Sequence, residues 1–261
     1  MEDSMIHETA IIGSASQIGA GVEIGPYSII GENVTIGKNT KIGAHVVIEG
    51  STTIGENCTV FQFCSLGAVP QDLKFKDEES ELVIGNDNTL REFVTINRGT
   101  SGGGGKTVLG DNNLLMAYSH VAHDCRVGNS VIMANSATLA GHIRIEDHAI
   151  VGGLVGVHQF VHIGAYAMIG GLTGVSKDVP PYTMVVGERG KLHGLNLVGL
   201  KRHGFSGDVI KGIKIAYKIF FRSGLTVQKA VEKIREENLT SSEVRHMTDF
   251  IVNSERGITR E

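Results

Sequence analysis

Four histidines and an aspartate are the residues of this chain whose types and spacing could do chemistry. His120 and His123 lie three apart, Asp124 directly follows the second, and His142 and His158 come after. Imidazoles change charge near neutral pH, so such a group can serve as a base, hold a transition metal or do neither. An imidazole with a carboxylate beside it is the pattern of a base fixed in one tautomer. A zinc site needs ligand atoms converging about 2.0–2.1 Å from one ion. The His123–Asp124 pair favours base chemistry, while spacing alone leaves metal ligation open. Either chemistry depends on a backbone that brings these residues together.

A six-residue repeat supplies that backbone. Stepping by six gives aliphatic side chains from Ile6 to Leu66, from Ile84 to Ile96 and from Leu109 to Val175; all 26 positions are aliphatic and 14 are followed by glycine. Four residues after each aliphatic, a small or β-branched residue recurs, as at Ser16, Val22, Ser28 and Val34. A period of six fits no α-helix and is too short for hairpins. It is the signature of a parallel β-helix, with three short strands to each triangular coil. The aliphatic and the residue two before it share a strand face and point inward. With coils stacked about 4.8 Å apart, the hexads predict a prism roughly 40 Å long.

Composition agrees with this. Hydrophobic residues make up 41% of the chain but aromatics only 5%, with no tryptophan, so the core must be aliphatic. Glycine, 35 of 261 residues, is about twice its usual share, which predicts many positions at φ > 0. A net charge of −4 argues against a protein devoted to nucleic acid. There is no apolar run long enough to span a membrane, and the start MEDSMIHE lacks the features of a signal peptide. A soluble, cytoplasmic chain is expected. Cys58, Cys64 and Cys125 show no CxxC spacing and all fall on the small-residue position of the hexad, as buried fillers would.

Hexads eighteen residues apart stack on one wall, so Val121, Leu139 and Val157 share a wall. His120 and His123 flank the first, His142 lies three after the second, and His158 follows the third. None falls on an inward position, so four imidazoles line one edge within about 10 Å along the axis. The repeat breaks twice, at GAVPQDLKFKDEESELV (67–83) and GTSGGGGKTVL (99–109), after Leu66 and Ile96 of the same wall. Two loops and a histidine ladder thus meet where a cleft is expected. The glycine run does not sit between a strand and a helix, as a phosphate-binding loop requires, and reads as a flexible tip.

Seven stretches, in order along most of the chain, carry a resemblance: QDLK (71–74), NRGT (97–100), HVAHDC (120–125), ATLAGH (137–142), VGVHQF (155–160), DVPPY (178–182) and LKRHGF (200–205). The chain resembles the UDP-N-acetylglucosamine O-acyltransferases that begin lipid A synthesis. That resemblance implies a left-handed β-helix, a homotrimer, and transfer of a 3-hydroxyacyl group from acyl carrier protein to the sugar 3-hydroxyl of a UDP-sugar. It implies no metal, and no cofactor beyond the phosphopantetheine that delivers the acyl group. His123 would be the general base, Asp124 would orient it, and the Gly141 N–H would face the developing oxyanion. Gln71, Asp72, Lys74, His120, His142, His158 and Gln159 would line the substrate cleft, with Asn196 and Arg202 toward the nucleotide. Val198 and His203 depart from the acidic and basic residues common there. Acyl length would be read near Met168 and Gly171, where glycine leaves room for a long chain, with Arg189 at the tunnel end. A 3-amino acceptor sugar, an acetyl-CoA-dependent hexapeptide acetyltransferase and a zinc carbonic anhydrase are the alternatives.

The period of six stops after Pro180-Pro181, so the β-helix is expected over 1–190 and a helical unit over 191–261. Ser206 can cap a helix to about Arg222, Thr226 a second to about Glu237, and Thr240 with Glu243 a third to about Asn253. Residues 201–235 carry nine Lys/Arg, among them Lys211 and Lys214, against Asp208 and Glu232. Such a surplus suits a solvated helix face or a docking surface for an acidic carrier protein.

Overall fold

The computed structural model describes residues 5–261; residues 1–4 of the expected first unit lie outside them. The chain winds as a left-handed parallel β-helix followed by four helices. Most strands are two residues long, and they stack into walls of eleven, nine and eight strands. From Ile24 onward, side chains at the repeated aliphatic are sealed, with Ile48, Leu66, Ile96 and Leu139 at 0% exposure, while Ile6, Ile12 and Ile18 of the open first coil are not. Side chains two positions earlier, such as Val22, Ser28, Val46 and the three cysteines, are sealed as well. Burial pushes the Cys64 and Cys125 thiols up to about 12, which leaves them inert fillers.

Glycine serves this fold differently from the expectation. Of the glycines that follow a hexad aliphatic, only Gly67 has a positive φ. The others allow close stacking: a Cβ on Gly37 would meet the backbone of Gly55 at 2.5 Å. The left-handed corners are instead made by the residue three after the aliphatic, whatever its type, as at Tyr27, His45, Phe63, Asp124, His142 and Phe160. Each such corner costs about 1–2 kcal/mol, offset by the ladders it permits.

The nine-stranded wall contains the strands of Val121, Leu139 and Val157 as neighbours, with Thr95, His120, Thr138, Gly156 and Gly174 in register on its outer face. Both excursions leave from this wall but are shorter than expected. Strands cover Ser65–Ala68, Glu81–Ile84 and Lys106–Leu109, because Leu82 and Thr107 are buried two before Ile84 and Leu109 and extend the pairing.

The winding also outlasts the period of six. Val179 stacks on Ile163, and Val185 stacks on Ile169, both sixteen residues on and both 0% exposed. A strand Lys191–Leu195 then folds back antiparallel on Thr183–Val186, so the sheet continues beyond residue 190. The helices are α1 (Leu197–Arg202), α2 (Gly207–Arg222), α3 (Val227–Glu236) and α4 (Ser242–Val252). Ser206 and Thr226 cap α2 and α3 as expected, while Ser241 rather than Thr240 caps α4. Helix α1, capped by Asn196, has no counterpart in the sequence reading. The helices close over a second apolar cluster that includes Ile213, Phe220, Met247 and Tyr182.

Candidate active site

Counting by eighteen builds the site. His123, Gly141 and Gln159 form one file along the prism edge, and Asp124, His142 and Phe160 form the next. Asp124, His142 and Phe160 all take the left-handed corner conformation, which turns their side chains out of the prism. The His142 ring stacks on Phe160 at 4.5 Å and meets His123 edge-on at 5.1 Å. In the other file, a Cβ on Gly141 would lie 2.6 Å from Cε1 and 2.8 Å from Nε2 of His123. The imidazole therefore rests on the bare face of Gly141.

His123 Nδ1 lies 2.8 Å from Asp124 Oδ2. The Asp124 carboxylate also accepts the Thr100 N–H at 2.8 Å and the Thr100 hydroxyl at 2.6 Å, and its side chain is fully buried. The Asp124 backbone N–H donates to Thr107 Oγ1 at 2.8 Å. A carboxylate offers acceptor lone pairs only, and one of them faces the ring nitrogen. With Nδ1–H donating to it, Nε2 holds the free lone pair, beside Gly141. Gly141 is buried, and among the described residues its N–H has no protein acceptor. A buried, unsatisfied donor next to a basic nitrogen is the geometry an oxyanion would complete.

The glycine run is built into this site. Residues Ser101–Gly103 form a 3-10 turn, and a Cβ on Gly103 would collide with the Asp124 carboxylate. It is therefore a wall of the Asp124 pocket rather than a free tip.

Three residues could hold a metal: ligand atoms of His123, Asp124 and His142 lie within 4.8 Å of one another. The separations of 2.8 and 3.8 Å fit this less well than they fit a hydrogen-bonded pair with a neighbour, because tetrahedral ligands at about 2.0–2.1 Å stand about 3.4 Å apart.

The remaining expected residues are placed unevenly. His120 bonds through Nδ1 to Thr95 Oγ1 at 2.7 Å on the outer face, and burial, with His123 nearby, lowers its pKa. Burial also lowers that of His142, opposed by the Asp124 carboxylate and, less strongly, by that of Asp72. Asp72 Oδ1 accepts the Lys74 N–H, and Gln71 and Lys74 are exposed in the first loop. His158 and Gln159 are exposed two coils above His120. Arg189 shares an open groove of about 530 Å³ with Thr138, Gly156, His158 and Gly174.

Met168 lies on the eleven-stranded wall and Gly171 at the corner after it. Asn196 caps α1, accepts the Gly199 N–H at 3.0 Å and donates to Tyr166 O at 3.0 Å, beside the His148–Tyr166–His203 ring cluster. Asn196 and Arg202 are thus on a different edge from His123, and one chain does not unite them. Another groove, of about 650 Å³ around Glu23, Lys41 and Phe61, is at the far N-terminal end and away from all of these groups.

Sequence reasoning missed Thr100, Thr107 and Phe160, and also Arg256, which donates to His158 Nδ1 at 3.2 Å and to Ser176 O at 3.1 Å. Phe160 was detectable, being eighteen residues after His142. Thr107 was detectable too, being two residues before the hexad aliphatic Leu109, whereas nothing local marks Thr100 or Arg256, which arrive through a loop and from the far end of the chain.

The family described as Udp N-acetylglucosamine O-acyltransferase, Domain 2, matches residues 178–259, and the bacterial transferase hexapeptide matches 3–38, 33–68 and 106–141. The acyl-[acyl-carrier-protein]–UDP-N-acetylglucosamine O-acyltransferase of Thermodesulfovibrio yellowstonii is 56% identical over 98% of this chain and 99% of its own length. That of Alkalilimnicola ehrlichii is 50% identical over the same shares. Among solved structures, LpxA from Acinetobacter baumannii superposes with a TM-score of 0.95 at 48% identity, covering 98% of this chain and all of that one. LpxA from Bacteroides fragilis, a UDP-N-acetylglucosamine acyltransferase, gives 0.95 at 47% over the same shares.

Proposed function

This chain belongs to the acyl-[acyl-carrier-protein]–UDP-N-acetylglucosamine O-acyltransferase family, and we propose that it works with His123 as general base. It is an acyltransferase of lipid A biosynthesis. The acyl group is a 3-hydroxyacyl chain carried as a thioester on acyl carrier protein, and the acceptor is the sugar 3-hydroxyl of UDP-N-acetylglucosamine. His123 Nε2 takes the proton of that hydroxyl as its oxygen attacks the thioester carbonyl. The positive charge that forms on the ring is balanced by buried Asp124 at 2.8 Å. The Gly141 N–H stabilises the negative charge on the carbonyl oxygen, and collapse of the intermediate expels the carrier thiol, which recovers a proton from His123.

The observation that carries this reading is that a half-buried imidazole, hydrogen-bonded to a buried carboxylate, meets a buried N–H with no acceptor among the described residues at the same spot. His123→Ala is expected to lower kcat by about 10²–10⁴-fold with the fold intact by circular dichroism. Turnover near the wild-type rate would remove His123 from the role.

The active unit in this reading is a cytoplasmic homotrimer. Its support is the separation of Asn196 and Arg202 from His123, which a second copy would bridge. An exposed stack of Tyr27, His45, Phe63, Phe93 and Tyr118, with ring spacings of 4.8–5.2 Å, also offers an apolar ridge for a neighbour. Among the described residues no helix is long and apolar enough to cross a membrane. Gly171 leaves room for a long acyl chain, so Gly171→Met shifts preference to shorter donors; unchanged selectivity in a chain-length series would discredit this ruler.

A further inference from the structure

On the outer face of the eight-stranded wall, Arg126, Arg144 and His162 stand in register on successive coils. Like charges directly opposite on neighbouring strands destabilise a sheet unless something neutralises them. His162 has a counter-ion in Glu146, at 3.0 Å. Neither Arg126 nor Arg144 has a side-chain partner among the described residues, and both are exposed.

They line a recess of about 480 Å³ together with Gly103, Asp124, His142, Glu255 and Arg256. Its carboxylates are mostly committed. Asp124 is clamped by Thr100 and His123, and Asp178 accepts from Ser254 Oγ at 2.6 Å and the His162 N–H at 2.8 Å. Only Glu255 is left without a partner, against Arg126, Arg144 and Arg256. A recess with three guanidinium groups and one free carboxylate has the composition of an anion site, and guanidinium is well suited to phosphate oxygens.

We propose that Arg126 and Arg144 form a subsite for the phosphodiester of the donor's carrier arm. This rests on the acyl-transfer reading, since it presumes a phosphopantetheine thioester at His123. The recess runs from the dyad toward the segment that follows α4, with Arg256 held at Ser176, about 14 Å along the axis from the level of Val121. Its cations therefore trail away from the base toward the helices. An arm that enters from a carrier docked on those helices would pass them with its thioester ahead and its phosphate behind.

Steady-state kinetics of Arg126→Ala/Arg144→Ala with three substrates tests this. For the wild type, the KM for acyl-phosphopantetheine is expected to be about tenfold or more below that for acyl-pantetheine, which lacks the phosphate. The double variant is expected to lose this gap, with the KM for UDP-N-acetylglucosamine unchanged and a melting temperature no lower than that of the wild type. Arg126→Lys/Arg144→Lys is expected to restore part of it. A rise in the nucleotide KM alone would assign the anion to the sugar nucleotide and overturn the proposal. Equal KM values for the two donors with the wild type would overturn it as well. Wild-type turnover of acyl carrier protein thioester in the same assay checks the underlying reading, so loss of transfer itself is distinct from loss of the subsite.

Discussion

At the scale of single residues, the site depends on what is held still around His123. Thr100 gives Asp124 two of its three donors, and the hydroxyl contact at 2.6 Å is the shortest of them. Thr100→Val keeps the shape and the backbone donor but leaves that buried carboxylate lone pair unmatched, at a cost of about 1–3 kcal/mol. A melting temperature lower by about 2–8 °C is expected, with kcat reduced and KM little changed; wild-type kcat would show that Asp124 does not need the clamp. Gly141 is the stricter test. A Cβ there would sit 2.6 Å from the ring, so Gly141→Ala must displace the imidazole from both Asp124 and the reacting atoms. A fall in kcat of about 10²-fold or more is expected, measured beside an unchanged circular dichroism spectrum. Much of this was open to reading in the sequence, since eighteen residues on from His123 is Gly141, and eighteen on from Asp124 is His142. The Thr100 and Arg256 contacts were not, because a count along coils says nothing about where a loop or a terminal segment lands.

At the scale of elements, the helices are fastened to the β-helix by a hydrogen-bonded network around Glu146. Glu146 lies 3.0 Å from His162 on the prism and 2.9 Å from His246 on α4, and His246 Nδ1 meets the Tyr182 hydroxyl at 2.8 Å. Burial alone would raise the Glu146 carboxyl, but the hydrogen bonds from His162 and His246 outweigh it and hold the group at about 2. The bond to Glu146 raises His246, against the effect of burial and with help from Asp249. A depressed carboxyl stabilises the fold above its unfolded pKa near 4.5 and loses that contribution as pH falls toward 2. A raised histidine stabilises below its unfolded pKa near 6.5 and loses that contribution as pH rises through the folded value. The attachment of α4 is therefore strongest between about pH 4.5 and 6.5. The His246 contribution fades as pH climbs from 6.5 to 8, so the melting-temperature advantage of the wild type over His246→Gln should shrink across that range. Parallel slopes for the two proteins would show that the network does not titrate in this range. The hexads foretold the prism because each one repeats the same packing problem. They could not foretell Val179 and Val185, which stack after a step of sixteen, nor α1, whose six residues are too short to show a periodicity.

Across the whole molecule, charge is distributed against the net value. The chain totals −4, yet residues 201–235 hold nine basic groups against two acidic ones. The structure sorts these. Arg222 pairs with Glu261, and Lys233 with Glu236 and Glu237, so these are neutralised within the chain. Lys211, Lys214 and Lys218 are exposed on α2 and have no partner among the described residues, while Ile210, Ile213, Ala216 and Tyr217 of the same helix are buried. Spaced three and four apart, the three lysines form one stripe on its solvent face. Unpaired cations of this kind add little to stability and much to the capture rate of an acidic partner, an effect that fades once the Debye length shrinks to about 8 Å at physiological salt. Lys211→Glu/Lys214→Glu is therefore expected to raise the KM for acyl carrier protein thioester several-fold at low ionic strength and to converge on the wild type at high salt. The KM for UDP-N-acetylglucosamine and for a free acyl-phosphopantetheine, which has no protein to steer, should stay put. An unchanged carrier KM at low salt would return the stripe to a solvated helix face.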